Sequence, residues 1–147
     1  MEMKRSKTLL VANILATLYA VFLFFKFEME ILRLGGTEYI HTLKQLLQLL
    51  FDLLGMSSPA ATFLSVLLIL LRIHVYGFIL GSIIGWIAWA CKKSGSAKLA
   101  ATLYLIATIC FPLYFFFGLP ITIVGFVGAG KQKAINKAAI TEQTKAE

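Results

Sequence analysis

The chain has 147 residues, of which 59% are hydrophobic and only 14% charged, and its formal net charge is +7. Between Gly55 and Gly130 there is no Asp or Glu, and the only basic residues are Arg72, Lys92, Lys93 and Lys98. A stretch this apolar excludes a small soluble domain, and the length leaves little for a second domain, so a single membrane domain is expected.

Met1 to Lys7 followed by Thr8–Phe25 resembles the basic and apolar regions of a signal peptide. The apolar run is longer than usual and ends in Phe22-Leu23-Phe24-Phe25, where cleavage would need small residues. An uncleaved anchor is expected, rising about 27 Å at 1.5 Å per residue, enough with its flanks to cross a membrane. Lys26, Glu30 and Arg33 fall on one side and Phe27, Ile31 and Leu34 on another, so the helix can continue outward to about residue 34. Gly35-Gly36 ends it, and Thr37 caps the next helix.

Over 37–54 the apolar spacing is the cleanest in the chain. Leu43, Leu47, Leu50 and Leu54 continue a strict 3-4 pattern from Ile40, and Leu46, Leu49, Phe51 and Leu53 widen it. His41, Lys44, Gln45, Gln48 and Asp52 occupy the opposite stripe. Spanning would bury Lys44 and Asp52 at about 2.5–3.5 kcal/mol each at the membrane centre. This helix is therefore expected outside, on the membrane surface or packed on its neighbours.

Ser57-Ser58-Pro59 opens a helix over 59–90 that is too long for one crossing. Counted back from Lys92-Lys93, residues 73–90 fill the membrane, which puts Arg72 and His74 at the outer interface and Trp86 and Trp89 at the inner one. Residues 60–71 then project outward beneath the Leu-rich face. A last stretch, 98–130, divides best into helices at 98–112 and 116–130, with Phe111-Pro112 and Gly118-Leu119-Pro120 as the break. Tyr114 to Phe117 form an aromatic apex, tucked beneath the outer helices. The tail, 131–147, is polar and too short to fold alone.

Small residues form ladders on these helices. Gly77, Gly81 and Gly85 share one face, Ala12, Ala16 and Ala20 make a matching row on the first helix, and Gly125 and Ala129 a shorter one. Such grooves let backbones approach closely where lipid removes the hydrophobic drive for association. They either pack the bundle internally or dock a partner helix or second copy. Asn13, the amide within a membrane segment, points to an interhelical hydrogen bond. Cys91 and Cys110 are expected as free thiols, separated by a reversal of chain direction.

The residues needed for chemistry are absent. There is no Ser-His-Asp order, Cys-x-x-Cys, H-E-x-x-H or phosphate-cradling glycine loop, so an enzyme is not expected. His41 and His74 lack the tight spacing of metal ligands, and no cofactor is implied. Intramembrane acids that would mark an ion path are also missing. The lysines lack the aromatic interleaving of a nucleic-acid surface. Their three clusters, before the first span, at Lys92, Lys93 and Lys98, and after the last, place both termini in the cytoplasm.

From Gly81 to Lys133 the residues GSIIGWIAWACKKSGSAKLAA, a proline-interrupted run, and FFFGLPITIVGFVGAGKQK resemble a loose class of small four-helix membrane proteins of Gram-positive bacteria. The resemblance covers about a third of the chain and implies four helices with both ends inside. It carries over no functional residue.

The expected architecture is all-α, a polytopic four-helix transmembrane bundle of the plasma membrane with a small extracytoplasmic helical cap. The expected function is that of a non-enzymatic accessory or interaction protein, such as a subunit, regulator or immunity-type protector. An oligomeric transporter or channel subunit and a lipid-binding protein are the alternatives. Expected partners are the lipid bilayer and a membrane protein or second copy on the face of Gly77, Gly81 and Gly85.

Overall fold

The computed structural model describes residues 5–29, 37–53, 55 and 60–146. These residues are helical with no strand among them, in five helices: α1 (Lys7–Leu23), α2 (Thr37–Leu53), α3 (Ala60–Ala90), α4 (Ser94–Cys110) and α5 (Phe115–Ala146). A π-helical turn, Phe24–Glu28, continues α1, and a 3-10 turn, Pro112–Tyr114, joins α4 to α5. The four long helices close a ring in which α1 packs on α3, α3 on α4, α4 on α5, and α5 back on α1. Helix α2 stands apart from this ring and touches α3.

Local chemistry sets the helix ends. Ser6 caps α1, its hydroxyl accepting from the Leu9 N–H at 3.3 Å. At the end of α3, the Lys93 N–H reaches the Ala88 carbonyl at 2.9 Å and the Lys92 N–H reaches that of Trp89 at 3.4 Å. This is the Schellman pattern, and it places Lys92 at φ 58°, the left-handed position that usually holds glycine. Phe111, preceding Pro112, is extended (φ −134°, ψ 82°) and terminates α4.

The core is apolar, built on Leu9, Leu23, Val75, Phe78 and Tyr104, yet it also takes in polar groups, and the exterior is apolar too. Asn13, His74, Ser82, Thr108, Thr122 and several alanines are buried, whereas Leu18, Phe25, Ile109 and Phe116 are between 60% and 86% exposed. Exposed apolar side chains run down α3 from Phe63 to Ile87, about 36 Å of helix. Three helical stretches are long and apolar enough to cross a membrane: Lys7–Glu28, Val66–Ala90 and Pro112–Lys145. The 17-residue apolar α4 is a shorter fourth.

Several expectations are corrected. Pro120 lies inside α5, so Gly118-Leu119-Pro120 makes no break and the turn rests on Phe111–Tyr114 alone. Pro120 is the sixth residue of α5, past the first turn, so it removes one backbone bond, and the helix continues through that loss. Gly118 serves packing instead, because a Cβ there would collide with the Thr108 hydroxyl. The tail is not a separate segment, because α5 runs on to Ala146. Its Ala, Lys, Gln and Glu are good helix formers, and Gln132 and Asn136 tie it to the bundle. Helix α4 begins at Ser94 rather than near residue 98. The aromatic apex is not tucked away: Phe115, Phe116 and Phe117 are exposed, and Tyr114 alone turns inward, against Phe27 and Phe111.

The continuation of α1 through Glu30, Arg33 and Leu34 lies outside the described residues, as does the packing expected of Leu43, Leu47, Leu50 and Leu54. On α2 the polar stripe of His41, Lys44, Gln45, Gln48 and Asp52 is exposed, and so are Leu46, Leu49 and Leu53.

Candidate functional site

Four polar features shape the bundle, and two of them lie in its interior. Between α1 and α3, the Asn13 side-chain N–H donates to the Gly85 carbonyl at 2.9 Å. A turn away, the Thr17 hydroxyl donates to the Asn13 carbonyl at 2.7 Å. It therefore accepts from Ser82, at 2.7 Å, and from the Trp86 indole N–H, at 2.8 Å. One donation and two acceptances saturate a hydroxyl, so Thr17 is fully used.

The second cluster centres on His74, which is completely buried. Its Nδ1 lies 2.7 Å from the Ala107 carbonyl, which can only accept, so Nδ1 carries the proton. In the neutral ring Nε2 then accepts from the Tyr19 hydroxyl at 3.0 Å. Phe78, Phe111 and Tyr114 close around the imidazole. At the level expected for it, two residues from exposed Arg72, His74 faces the bundle interior rather than the surface. Its two nitrogens bridge α1, α3 and α4, a use that no local sequence pattern announces.

The glycine ladder points inward. A Cβ on Gly77 would lie 2.8 Å from that of Ala107, and one on Gly81 would lie 2.5 Å from the Tyr104 ring. At Gly85 it would strike the Asn13 carbonyl oxygen, also at 2.5 Å. Helix α4 and Asn13 therefore occupy the groove, which packs the bundle internally, the first of the two uses expected of it. Ala12, Ala16 and Ala20 are buried on α1. Tyr104, missed in the sequence, fills the centre of the ring, stacked on Phe78 at 5.3 Å, and its hydroxyl makes no hydrogen bond to another described residue. Gly128 was also missed; a Cβ there would meet the Leu9 backbone.

The third cluster gathers the lysine-rich end. The Ser6 N–H donates to the Gln132 side-chain oxygen at 2.9 Å, and Gln132 donates to Asn136 at 2.8 Å. Asn136 in turn donates to the Lys92 carbonyl at 2.8 Å, and Lys131 reaches the Thr8 hydroxyl at 3.1 Å. The Arg5 guanidinium lies 4.7 Å above the Trp89 ring. All three basic clusters of the sequence therefore meet at one end. Of the expected interface anchors, Arg72 is exposed and Trp89 half-buried under Arg5, whereas the Trp86 N–H is turned inward to Thr17.

No protein family, curated protein or solved structure matches this chain. Its function has to be read from the residues themselves. Among the described residues no group of three His, Cys, Asp or Glu side chains could hold a metal. Cys91 and Cys110 are free thiols, the first exposed.

The fourth feature is a cleft of about 1120 Å³ at the lysine-rich end. One wall is the turn from Cys91 to Ser96, carrying Lys92 and Lys93; the other is the face of α5 bearing Ile135, Ala138, Ala139 and Ile140. The bond from Asn136 to the Lys92 carbonyl fixes the two walls relative to each other.

Proposed function

We propose that the chain is a non-enzymatic integral protein of the plasma membrane that engages another membrane component at its ends rather than through its interior. In this reading the four long helices cross the bilayer and both termini are cytoplasmic. The observation that carries it is the placement of polar groups. Ser6, Asn13, His74, Ser82, Thr108, Thr122 and Gln132 are buried, and each is hydrogen-bonded within the protein. A bundle whose buried polar groups are bonded to its own backbone and side chains, the Tyr104 hydroxyl and Trp89 N–H excepted, offers no continuous lined path for an ion or solute. The apolar exterior suits lipid, and convergence of the basic clusters at one end suits a single cytoplasmic face. The likeness of residues 81–133 to small four-helix membrane proteins agrees with this.

The accessible surface for a partner is α2, with exposed Leu46 and Leu49, and the projecting half of α5, with exposed Ile140. The face of Gly77, Gly81 and Gly85 is no longer a candidate. Photo-crosslinking residues placed at Leu49 and Ile140 in the native host should each capture one heterologous membrane protein in stoichiometric amount. Capture of copies of this chain alone would instead support an oligomeric transporter or channel subunit. A lipid-binding role is the second reading, favoured by the basic cleft.

A further inference from the structure

We propose that the cleft between the Cys91–Ser96 turn and α5 holds the phosphate headgroup of an anionic phospholipid. Its charge points there first. Lys92 and Lys93 both line it, neither has an ion pair with another described residue, and Glu142 is the single acidic side chain on its walls. The Ser94 and Ser96 hydroxyls stand on the same wall and make no hydrogen bond to another described residue. Two ammonium groups with two hydroxyl donors suit a phosphodiester.

Depth selects a lipid over a soluble phosphate. The exposed apolar stripe on α3 ends at Ile87, and Lys92 follows five residues later. That is about 7.5 Å of chain, within the headgroup layer that borders the hydrocarbon. The opposite wall is apolar at Ile135, level with Lys92 through the Asn136 bond, which suits the glycerol of the ligand. The volume, about 1120 Å³, far exceeds what a free phosphate fills. The walls are also preorganised: Lys92 sits in a left-handed turn whose carbonyl is held by Asn136, and Asn136 is held by Gln132.

This inference rests on the membrane reading above, and the experiment separates the two. The full chain is reconstituted into vesicles of phosphatidylcholine, with or without phosphatidylglycerol, then extracted in mild detergent and weighed intact by native mass spectrometry. One phosphatidylglycerol should be retained per chain in preference to phosphatidylcholine. The Lys92→Asn/Lys93→Gln variant, in which asparagine tolerates the left-handed turn, should bind it at least tenfold more weakly. Lys137→Gln/Lys145→Gln removes the same charge away from the cleft and should bind as the parent does. Ala139→Trp keeps every charge but fills the cleft, and should also lose the lipid. Equal loss in both charge variants would reduce the effect to general attraction by a basic face and overturn the proposal. So would retention by Ala139→Trp, or displacement by millimolar inorganic phosphate. Failure to enter vesicles would overturn the membrane reading itself, whereas entry without lipid preference would overturn this inference alone.

Discussion

Gly128 is the position where one added methyl group tests the bundle most sharply. A Cβ there would lie 2.8 Å from the Leu9 Cα and 2.9 Å from its backbone nitrogen. Carbon atoms in contact prefer about 3.5–4.0 Å, so Gly128→Ala must push α1 and α5 apart by roughly an ångström. Neither partner can yield by a rotamer change, because both colliding atoms of Leu9 are main chain. Separation also loosens the neighbouring bonds from Ser6 to Gln132 and from Lys131 to Thr8. Overpacking of this kind costs about 1–3 kcal/mol, while alanine returns about 0.5–1 kcal/mol through its helix propensity. Gly130→Ala is the control: a Cβ there has nothing within 4 Å, so it keeps only the favourable part. The two variants should therefore differ by about 1–3 kcal/mol, or roughly 2–12 °C in melting temperature at 2–4 °C per kcal/mol. Heating in mild detergent, in a Cys91→Ser background, with labelling of the partly buried Cys110 thiol as the signal, measures this directly. Identical melting of the two variants, or a more stable Gly128→Ala, would refute the packing of α1 on α5.

His74→Leu should destabilise by about 1–3 kcal/mol because the buried Tyr19 hydroxyl loses its partner. A double-mutant cycle with Tyr19→Phe should return a coupling of about 0.6–1.7 kcal/mol, and a coupling near zero would dismiss the bond. Lys92→Gly should stabilise by up to about 1 kcal/mol, since glycine avoids the roughly 1–2 kcal/mol cost of the left-handed turn but gives back about 0.5–1 kcal/mol of chain entropy. The same variant should bind phosphatidylglycerol less well, and thermal and lipid-retention measurements on one preparation would check both.

The helices were legible in the sequence and their partners were not. Apolar runs, the cap at α1 and the stop at Pro112 are local signals, and each lies near the element it governs. The glycine ladder announced a close approach, but only the register of α4 decides that Tyr104 and Ala107 fill it. His74 looked interfacial because it neighbours Arg72, yet its nitrogens pair with residues 55 and 33 positions away. The same holds for Gln132 and Asn136, which extend α5 through bonds to Ser6 and the Lys92 carbonyl. Pro120 misled for a different reason. Proline removes a single backbone bond beyond the first turn, and at Pro120 the 32-residue α5 carries that one loss without breaking.

Closure of the ring by its first and last helices has a consequence for biosynthesis. Helix α1 is complete at Leu23, but its contact with α5 waits until the chain has emerged to Ala146. At about 5–20 residues per second, roughly 6–25 s separate the two events. Through that interval the backbone surface of Leu9 that will receive Gly128 is left uncovered. A ribosome that stalls within α4 therefore releases a product with an unsealed seam beside Leu9.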